Sequence, residues 1–404
     1  MNVKTGMVTL RNRQDFVSTD GIALEWELTV GGEQRASGRV TRISIPPGES
    51  KEFPIPFPLI KRPPGEECFF SLRYVQSKPT AWAPEGAVIG WDQSSVQVPE
   101  AKAKPYRQRI SPPEIRRSKS GTVAIAGGVR LSTSADGSMS VQWNDHAILN
   151  QWPQVQIWRA ATDNDGIKGW SGQAQKPLGR WLAAGLDRMT VTTNSPKFSV
   201  GQDGRAIVQV EQTGSTASHP KAARLQMICE LHGDGSLQFD HVFRIDPVLS
   251  DIPRIGVRLD LPPGFERVRW FGRGPWECYR DRQRAALVGQ HESTVDANHV
   301  PYIMPQENGN HTDTRWVTIH DGRIGVKVEG AEPFEFSVSH YTAEDLFAAF
   351  HTFDLQRRAE TILNLDQVQR GVGSGSCGPD TREAYRIPGG THRWSYRLTP
   401  FSVL

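Results

Sequence analysis

Acidic residues in polar, glycine-containing segments are the side chains of this 404-residue chain that could carry out acid–base chemistry: Asp163, Asp165, Glu277, Asp281 and Glu307. Hydrolysis of a glycosidic bond commonly uses two carboxyl groups that flank the bond, one as acid/base and one as nucleophile or base. Spacing along the chain does not show which of these carboxylates converge. Loop carboxylates beside Arg, Asn and Gly more often form ion pairs and turn hydrogen bonds. We therefore expect structural roles for them and predict no catalytic residue.

Motifs for other catalytic chemistries fail in context or are missing from the sequence. Gly373, Gly375 and Gly378 fit the G-x-G-x-x-G spacing, but Pro379 follows directly and no helix pattern begins there. There is no G-x-S-x-G, Walker-type or H-E-x-x-H motif. The cysteines are far apart, which predicts reduced thiols and no structural zinc site: Cys68, Cys229, Cys278 and Cys377.

Composition excludes two large classes of protein. The net charge is +3, and Lys and Arg are mixed with Asp and Glu, so the basic stripe of a nucleic-acid-binding protein is absent. No run approaches the roughly 20 apolar residues of a membrane-spanning helix. The first residues, MNVKTGMVTLRNRQDF, lack the apolar centre of a secretory signal, which predicts a cytoplasmic protein if Met1 is the true start.

Period-two alternation of apolar residues predicts β-strands in the first quarter of the chain. One strand runs over Ile22–Val30 and another over Cys68–Val75, and the segments IPPGES and RPPGEE read as turns. Short strands at this spacing favour an immunoglobulin-like β-sandwich over residues 1–99, although its Cys…Trp…Cys signature is absent. A basic, proline-rich stretch without apolar period follows, and we interpret residues 100–118 as a linker.

Strand patterns continue through residues 119–404 and predict one large all-β domain. Alternation over Leu225–Leu231, a GDG turn and alternation over Leu237–Ile245 predict a β-hairpin. The clearest helix signal is Thr342, a potential N-cap before AEDLFAAF. Further strands are predicted around 255–261, 334–338 and 394–398.

Several segments, in order, resemble the C-terminal region of the large β-galactosidases of glycoside hydrolase family 2. The most specific are WFGRGPWECYRDR (Trp270–Arg282) and PYIMPQENGNHTDTRW (Pro301–Trp316). WRAATDNDGIKG (Trp158–Gly169), with WLAAGLD after it, and LDQVQRGVGSGSCGPDT (Leu365–Thr381) are similar to further segments of that region. LEWELTVGGEQRASGRV and TAWAPEGAVIGWDQ read like the sandwich that precedes the family's last domain. The resemblance covers nearly all of the chain.

The resemblance implies an all-β architecture, an immunoglobulin-like β-sandwich followed by a galactose-mutarotase-like β-supersandwich. In this family both catalytic glutamates and the active-site magnesium belong to a (β/α)8 barrel, whose alternating strand and helix pattern is absent here. We therefore expect no cofactor in this chain, because the family's magnesium and sodium sites lie mainly in the barrel part. We also expect no hydrolysis of galactosides by this chain alone.

The resemblance also assigns substrate contacts to this chain. In the family, the loop after TDND moves over the bound sugar, which by position involves Asp163, Asn164, Asp165 and Gly166. A Trp or Cys in the closing segment contacts the leaving-group sugar, and Cys377 holds that position. Because Cys offers a smaller surface than the flat face of Trp, we expect weaker stacking on that sugar.

The charged residues of these segments could instead form ion pairs that fix the loops. Arg159 could pair with Asp163, and Arg280 or Arg282 could pair with a neighbouring carboxylate, Glu277 or Asp281.

The predicted function is that of a β-galactosidase component acting on terminal galactosides such as lactose. Its expected partner is a barrel-bearing large subunit or the missing N-terminal domains, in an assembly we expect to be oligomeric. A natural small subunit and a fragment of a longer chain both fit. A free-standing carbohydrate-binding or mutarotase-like protein is the alternative, and a module that only stabilises an oligomer is a third. No nucleic-acid or membrane partner is predicted.

Overall fold

A computed structural model describes residues 6–56, 61–99, 111–134 and 136–403 of the chain. The described elements are strands with a few short helices, which confirms the all-β prediction. The chain divides into two compact units, Met1–Gln108 with Val288–Gln290 and Arg109–Leu287 with His291–Leu404. Within the described ranges, no helix is long and apolar enough to cross a membrane.

The first unit is a β-sandwich of two antiparallel sheets. A four-stranded sheet has the order β3-β2-β5-β6, and a two-stranded sheet pairs β1 with β4. Apolar side chains from both sheets, such as Leu10 and Phe53 from one and Leu24 and Phe70 from the other, share one buried core. Both strands predicted here are confirmed as β2 and β5, and the apolar face predicted for each lies in this core, although the opposite face of β5 is also largely buried. The strands are β1 (Met7–Arg11), β2 (Ile22–Val30), β3 (Glu33–Val40), β4 (Ser50–Pro54), β5 (Cys68–Gln76) and β6 (Val88–Ser95).

The second unit contains two further antiparallel sheets. One has the order β11-β10-β9-β8-β7, and the main path of the other is β12-β18-β23-β22-β24-β17-β16-β15-β13. β14 pairs with β15, and β21, β19 and β20 extend the sheet beside β22. The smaller sheet contains β7 (Glu114–Ser118), β8 (Gly121–Ala126), β9 (Val129–Ser134), β10 (Met139–Trp143) and β11 (His146–Leu149).

The large sheet contains the remaining strands, whose bounds are β12 (Gln154–Gln156), β13 (Thr190–Thr193), β14 (Lys197–Val200), β15 (Ala206–Ser215), β16 (Ala223–Leu231), β17 (Leu237–Ile245), β18 (Arg254–Leu261), β19 (Arg267–Gly274), β20 (Leu287–Thr294), β21 (His311–His320), β22 (Ile324–Ser339), β23 (Thr361–Gln369) and β24 (Gly390–Ser402).

The predicted hairpin is confirmed, because β16 and β17 pair in register from Ala223↔Ile245 to Leu231↔Leu237. Its inward residues are buried and its outward residues are largely polar, as the alternation requires.

The prediction that residues 100–118 form a linker is wrong for the end of this range. Residues 100–110 lie outside the described residues, but Glu114–Ser118 forms β7, an edge strand paired with β8. Ile115 alone packs against the core, and the remaining side chains of the strand are exposed. With a single inward apolar residue, an edge strand carries no readable alternation, and its charged residues resemble those of a connector.

Helices are few and short: α1 (Pro177–Ala183), α2 (Val295–Asn298), α3 (Ala343–Ala348) and 3₁₀ turns at Leu186–Arg188, Thr352–Asp354 and Glu383–Tyr385. The predicted N-cap is confirmed at α3. Thr342 Oγ1 accepts a hydrogen bond from the Asp345 backbone N–H, and the Asp345 carboxylate accepts one from the Thr342 N–H. This capping box satisfies two backbone donors and fixes the start of α3.

Candidate functional site

Four loops of the second unit surround a polar cleft of about 260 Å³. They follow β12, follow β19, precede β21 and follow β23. Two of these loops contain the two most specific motifs, and the other two contain the TDND segment and the closing segment. The lining residues are Thr162, Asp163, Asn164, Glu277, Tyr279, Arg282, Tyr302, Gln306, Glu307, Val372 and Ser376.

Asp165 does not face this cleft. Its carboxylate is fully buried and pairs with Arg159, whose Nη2 lies 2.7 Å from Oδ1. The second oxygen accepts hydrogen bonds from Arg159 Nε and from the backbone N–H and hydroxyl of Thr162. This placement corrects the predicted substrate contact of Asp165, and it also corrects the predicted pairing of Arg159 with Asp163. A buried guanidinium requires a buried anion, and Asp165 is the carboxylate that the turn directs inward.

Gly166 is also buried and shapes the loop without facing the cleft. Its φ is +146°, and a Cβ at this position would lie 2.9 Å from the Cβ of Leu178 in α1. The adjacent carbonyl of Asp165 accepts a hydrogen bond from the Leu178 N–H. Gly166 therefore lets the loop pack closely on the start of α1, and the predicted direct contact is corrected to a structural role.

Asp163 and Asn164 are the members of this loop that reach the cleft. The Asp163 backbone N–H donates to Gln306 Oε1 at 3.0 Å, while its side chain is exposed. Within the described part of the chain, no protein group donates a hydrogen bond to the Asp163 carboxylate. Asn164 donates to the Gly373 carbonyl and accepts from Ser376 Oγ at 2.8 Å. Asn164 thus joins the loop to the closing segment, and Asp163 keeps a free carboxylate.

Cys377 lies at the rim, beside the lining residue Ser376. Its thiol is exposed, and its backbone N–H donates to the Ser374 carbonyl at 3.3 Å. The lining of the cleft as it stands contains Ser376 but not Cys377. The contact of Cys377 with a leaving-group sugar therefore stays a prediction.

Glu277 is an acidic residue of the cleft with both carboxylate oxygens engaged, and its sequence motif predicted an ion pair but no binding role. One carboxylate oxygen accepts a short hydrogen bond from the Tyr302 hydroxyl, and the other accepts from the Gly309 N–H at 2.9 Å. Arg282 Nη1 lies 3.9 Å from Glu277, so this predicted ion pair is confirmed. Burial, with the Glu277 carboxylate, raises the pKa of Tyr302 to about 12. Glu277 and Tyr302 lie in the two most specific motifs, and this was the sequence signal that could have pointed to their pairing.

Asp281 and Tyr279, close to Glu277 in the chain, have different surroundings. Asp281 accepts hydrogen bonds from the N–H groups of Val372 and Gly373 and from the Thr381 hydroxyl at 2.8 Å. It therefore holds the closing segment in place, and the predicted Arg partner is corrected to these donors. The Tyr279 hydroxyl is buried without a hydrogen-bond partner within the described residues, and burial raises its pKa above the ordinary value.

A buried network of charged and amide groups supports the floor of the cleft. Glu307 accepts from Gln369 Nε2 at 3.2 Å and lies 3.5 Å from Arg254, which pairs with Asp366 at 2.7 Å. Asn310 joins Gln369 to Glu335, donating to the Glu335 carboxylate at 2.9 Å.

Burial raises the pKa of Glu335 to about 8 and that of Asp366 to about 6. In Glu335 the effect of burial on the pKa outweighs that of the N–H donors, and in Asp366 it outweighs that of the Arg254 guanidinium.

The cleft therefore collects part of the acidic set predicted from the sequence. Asp163, Glu277 and Glu307 line it, whereas Asp165 and Asp281 fix loops. Among the described residues, no group of three or more His, Cys, Asp or Glu side chains could hold a metal ion. Carboxylate, amide and hydroxyl groups around one small cleft suit hydrogen bonding to a polyhydroxylated ligand.

Comparisons with known families agree with the motifs that build the cleft. The family model described as the β-galactosidase small chain matches residues 129–399, and that described as β-galactosidase domain 4 matches residues 8–97. The chain belongs to the β-galactosidase small-chain family. The first match includes every residue that lines the cleft.

Among curated relatives, the chain is 29% identical to a β-galactosidase of Arthrobacter sp. strain B7 over 403 residues, which cover 92% of this chain and 37% of that protein. It is 34% identical to a Vibrio cholerae β-galactosidase over 238 residues, which cover 57% of this chain and 22% of that protein. The chain thus spans well under half the length of these relatives.

Among solved structures, an aldose epimerase homologue from C. elegans aligns with a TM-score of 0.34 and 9% identity, covering 72% of this chain and all of that one (100%).

Proposed function

We propose that this chain supplies a lid loop and one wall of a β-galactosidase active site and needs a barrel-bearing chain for hydrolysis. The observation that carries this proposal is the free carboxylate of Asp163, held at a polar cleft by a loop anchored on both sides. An exposed anion on a fixed loop can accept hydrogen bonds from sugar hydroxyls when the loop lies against a substrate.

The hydrogen bonding of the other cleft carboxylates supports a binding role over catalysis. Glu277 has both oxygens engaged, and Glu307 is buried against Arg254 and Gln369. A glycosidase pair needs one carboxyl group to give up a proton and the other to face the anomeric carbon. Glu277 therefore suits neither role, and Glu307 is tied through one oxygen to the buried Arg254 and Gln369, so we expect both catalytic carboxylates to come from the partner.

The proposed substrate is a terminal β-D-galactoside such as lactose. Cys377, at the rim beside Ser376, would contact the leaving-group sugar with a small, polarizable surface. The partner is the barrel-bearing part, either a separate large subunit or the remainder of one longer chain. We further propose a cytoplasmic location.

Assays of the purified chain, alone and mixed with a barrel-bearing partner, test this proposal. Hydrolysis of a chromogenic β-galactoside is measured in both samples, while polarimetry follows α-to-β interconversion of galactose. We expect hydrolysis only in the mixture and no acceleration of interconversion by the chain alone. Accelerated interconversion would favour the mutarotase-like alternative, and binding to the partner without activity would favour a purely stabilising module.

A further inference from the structure

Lys168, in the lid loop five residues after Asp163, has an unusual environment. Only 6% of the residue is exposed, and its ammonium lies within hydrogen-bonding distance of four backbone carbonyl oxygens. The acceptors are Pro305 O at 3.2 Å, Leu346 O at 3.1 Å, Phe347 O at 2.9 Å and Ala349 O in a short contact. In the part of the chain that the structure describes, no carboxylate lies within ion-pair distance of this ammonium.

Three of these four carbonyls come from the C-terminal end of α3. Leu346, Phe347 and Ala349 lie in the last turn of α3 and just beyond it, where helical carbonyls have no partner within the helix. These carbonyls carry the negative end of the helix dipole. The rings of Phe347 and Phe350 lie 5.4 and 5.2 Å from the ammonium and add a further surface that favours a cation.

Four carbonyl oxygens around one point form the type of shell that replaces the hydration of an alkali-metal cation. A lysine ammonium has only three hydrogens, so four acceptors exceed what a lysine needs. The shell therefore has the composition of a monovalent-cation site. Burial lowers the pKa of Lys168 to about 8, against the effect of Asp163 and Asp354, so the charged form predominates at pH 7.

We propose that Lys168 is a built-in cation: its ammonium fills a carbonyl cage suited to a monovalent cation and thereby fixes the lid loop without a bound metal ion. One segment holds the loop at two points, because the Pro305 carbonyl belongs to the cage and the side chain of the next residue, Gln306, accepts a hydrogen bond from the Asp163 N–H. Lys168 is thus a positioning residue for the Asp163 carboxylate. Its catalytic consequence rests on the proposed function, but the cage itself does not.

Replacing the lysine by a small residue should open the cage to a free cation. Thermal unfolding is measured at pH 7 and constant ionic strength in choline, sodium, potassium or ammonium chloride. We expect the wild-type midpoint to be the same in all four salts. Lys168→Ala should unfold at lower temperature in choline, and at least one smaller cation should restore several degrees with a saturable dose response. Lys168→Met should be destabilised without restoration, because its side chain still occupies the cage.

Lys197→Ala is the matched control, because Lys197 is exposed and should show no cation effect. The proposal is overturned if Lys168→Ala responds equally to choline and to all three smaller cations.

Should Lys168→Ala fail to fold, reductive methylation of the folded wild type gives a second test. Mass spectrometry should find Lys168 unmodified where Lys197 is methylated, and equal methylation would overturn the cage. None of these measurements uses galactosidase activity, so their results test the cage independently of the proposed function.

Discussion

The two aspartates of the TDND segment should behave in opposite ways when each is replaced by asparagine. Asp165→Asn removes the only buried anion that contacts Arg159 among the described residues, while the guanidinium keeps its carbonyl acceptors at Arg370 and Gly371. A buried charge without its partner costs about 3–5 kcal/mol of unfolding free energy. Asp163→Asn changes an exposed group without a protein donor, and we expect a change within about 0.5 kcal/mol.

Urea unfolding at pH 7, followed by tryptophan fluorescence, measures this difference. Trp158 and Trp181 are buried, and the Arg159 guanidinium lies 5.7 Å from the Trp181 ring, so part of the fluorescence comes from the affected region. The assigned roles are refuted if Asp165→Asn retains wild-type stability, or if Asp163→Asn loses a comparable amount.

Three further predictions concern binding and pH. In the complex with a barrel-bearing partner, Asp163→Asn should lower kcat/KM for lactose by about 10- to 100-fold, the effect of losing hydrogen bonds to a charged group, and an unchanged value would remove Asp163 from the site. Cys377→Trp in the same complex should tighten lactose binding through stacking, and no tightening would count against the predicted wall. Glu335, whose folded-state pKa is raised to about 8 by burial, binds its proton more tightly in the folded than in the unfolded chain, so its contribution to stability is present below about pH 4.5 and is lost as pH rises to 8. Glu335→Gln should flatten the fall in unfolding free energy between pH 5 and 8, and an equally steep fall in the variant would contradict the raised pKa.

The strands were predictable where one face of the strand is buried and the other is exposed to solvent. The β16–β17 hairpin alternates without interruption and closes on a GDG turn, and the chain follows that pattern. β7 was missed because an edge strand with one inward apolar residue has no period to read. Thr342 was predictable because capping chemistry is local in the sequence.

The site was predictable in position but less so in detail. The motifs identify the loops, yet nothing in TDND distinguishes the aspartate that pairs with Arg159 from the one that faces the cleft. The Glu277–Tyr302 hydrogen bond joins residues 25 positions apart, and sequence spacing does not show this convergence. The cage around Lys168 consists of backbone carbonyls, which leave no signature in side-chain types.

Titration of a barrel-bearing partner with this chain, at fixed galactoside concentration, tests whether hydrolysis needs both chains. We expect no turnover by the chain alone and a rate that rises with added chain until it saturates at one chain per partner. Turnover of the galactoside by the isolated chain would show that the chain carries its own catalytic groups, and a partner whose rate does not depend on the bound chain would show that the chain supplies no part of the active site; either result would refute the proposed function.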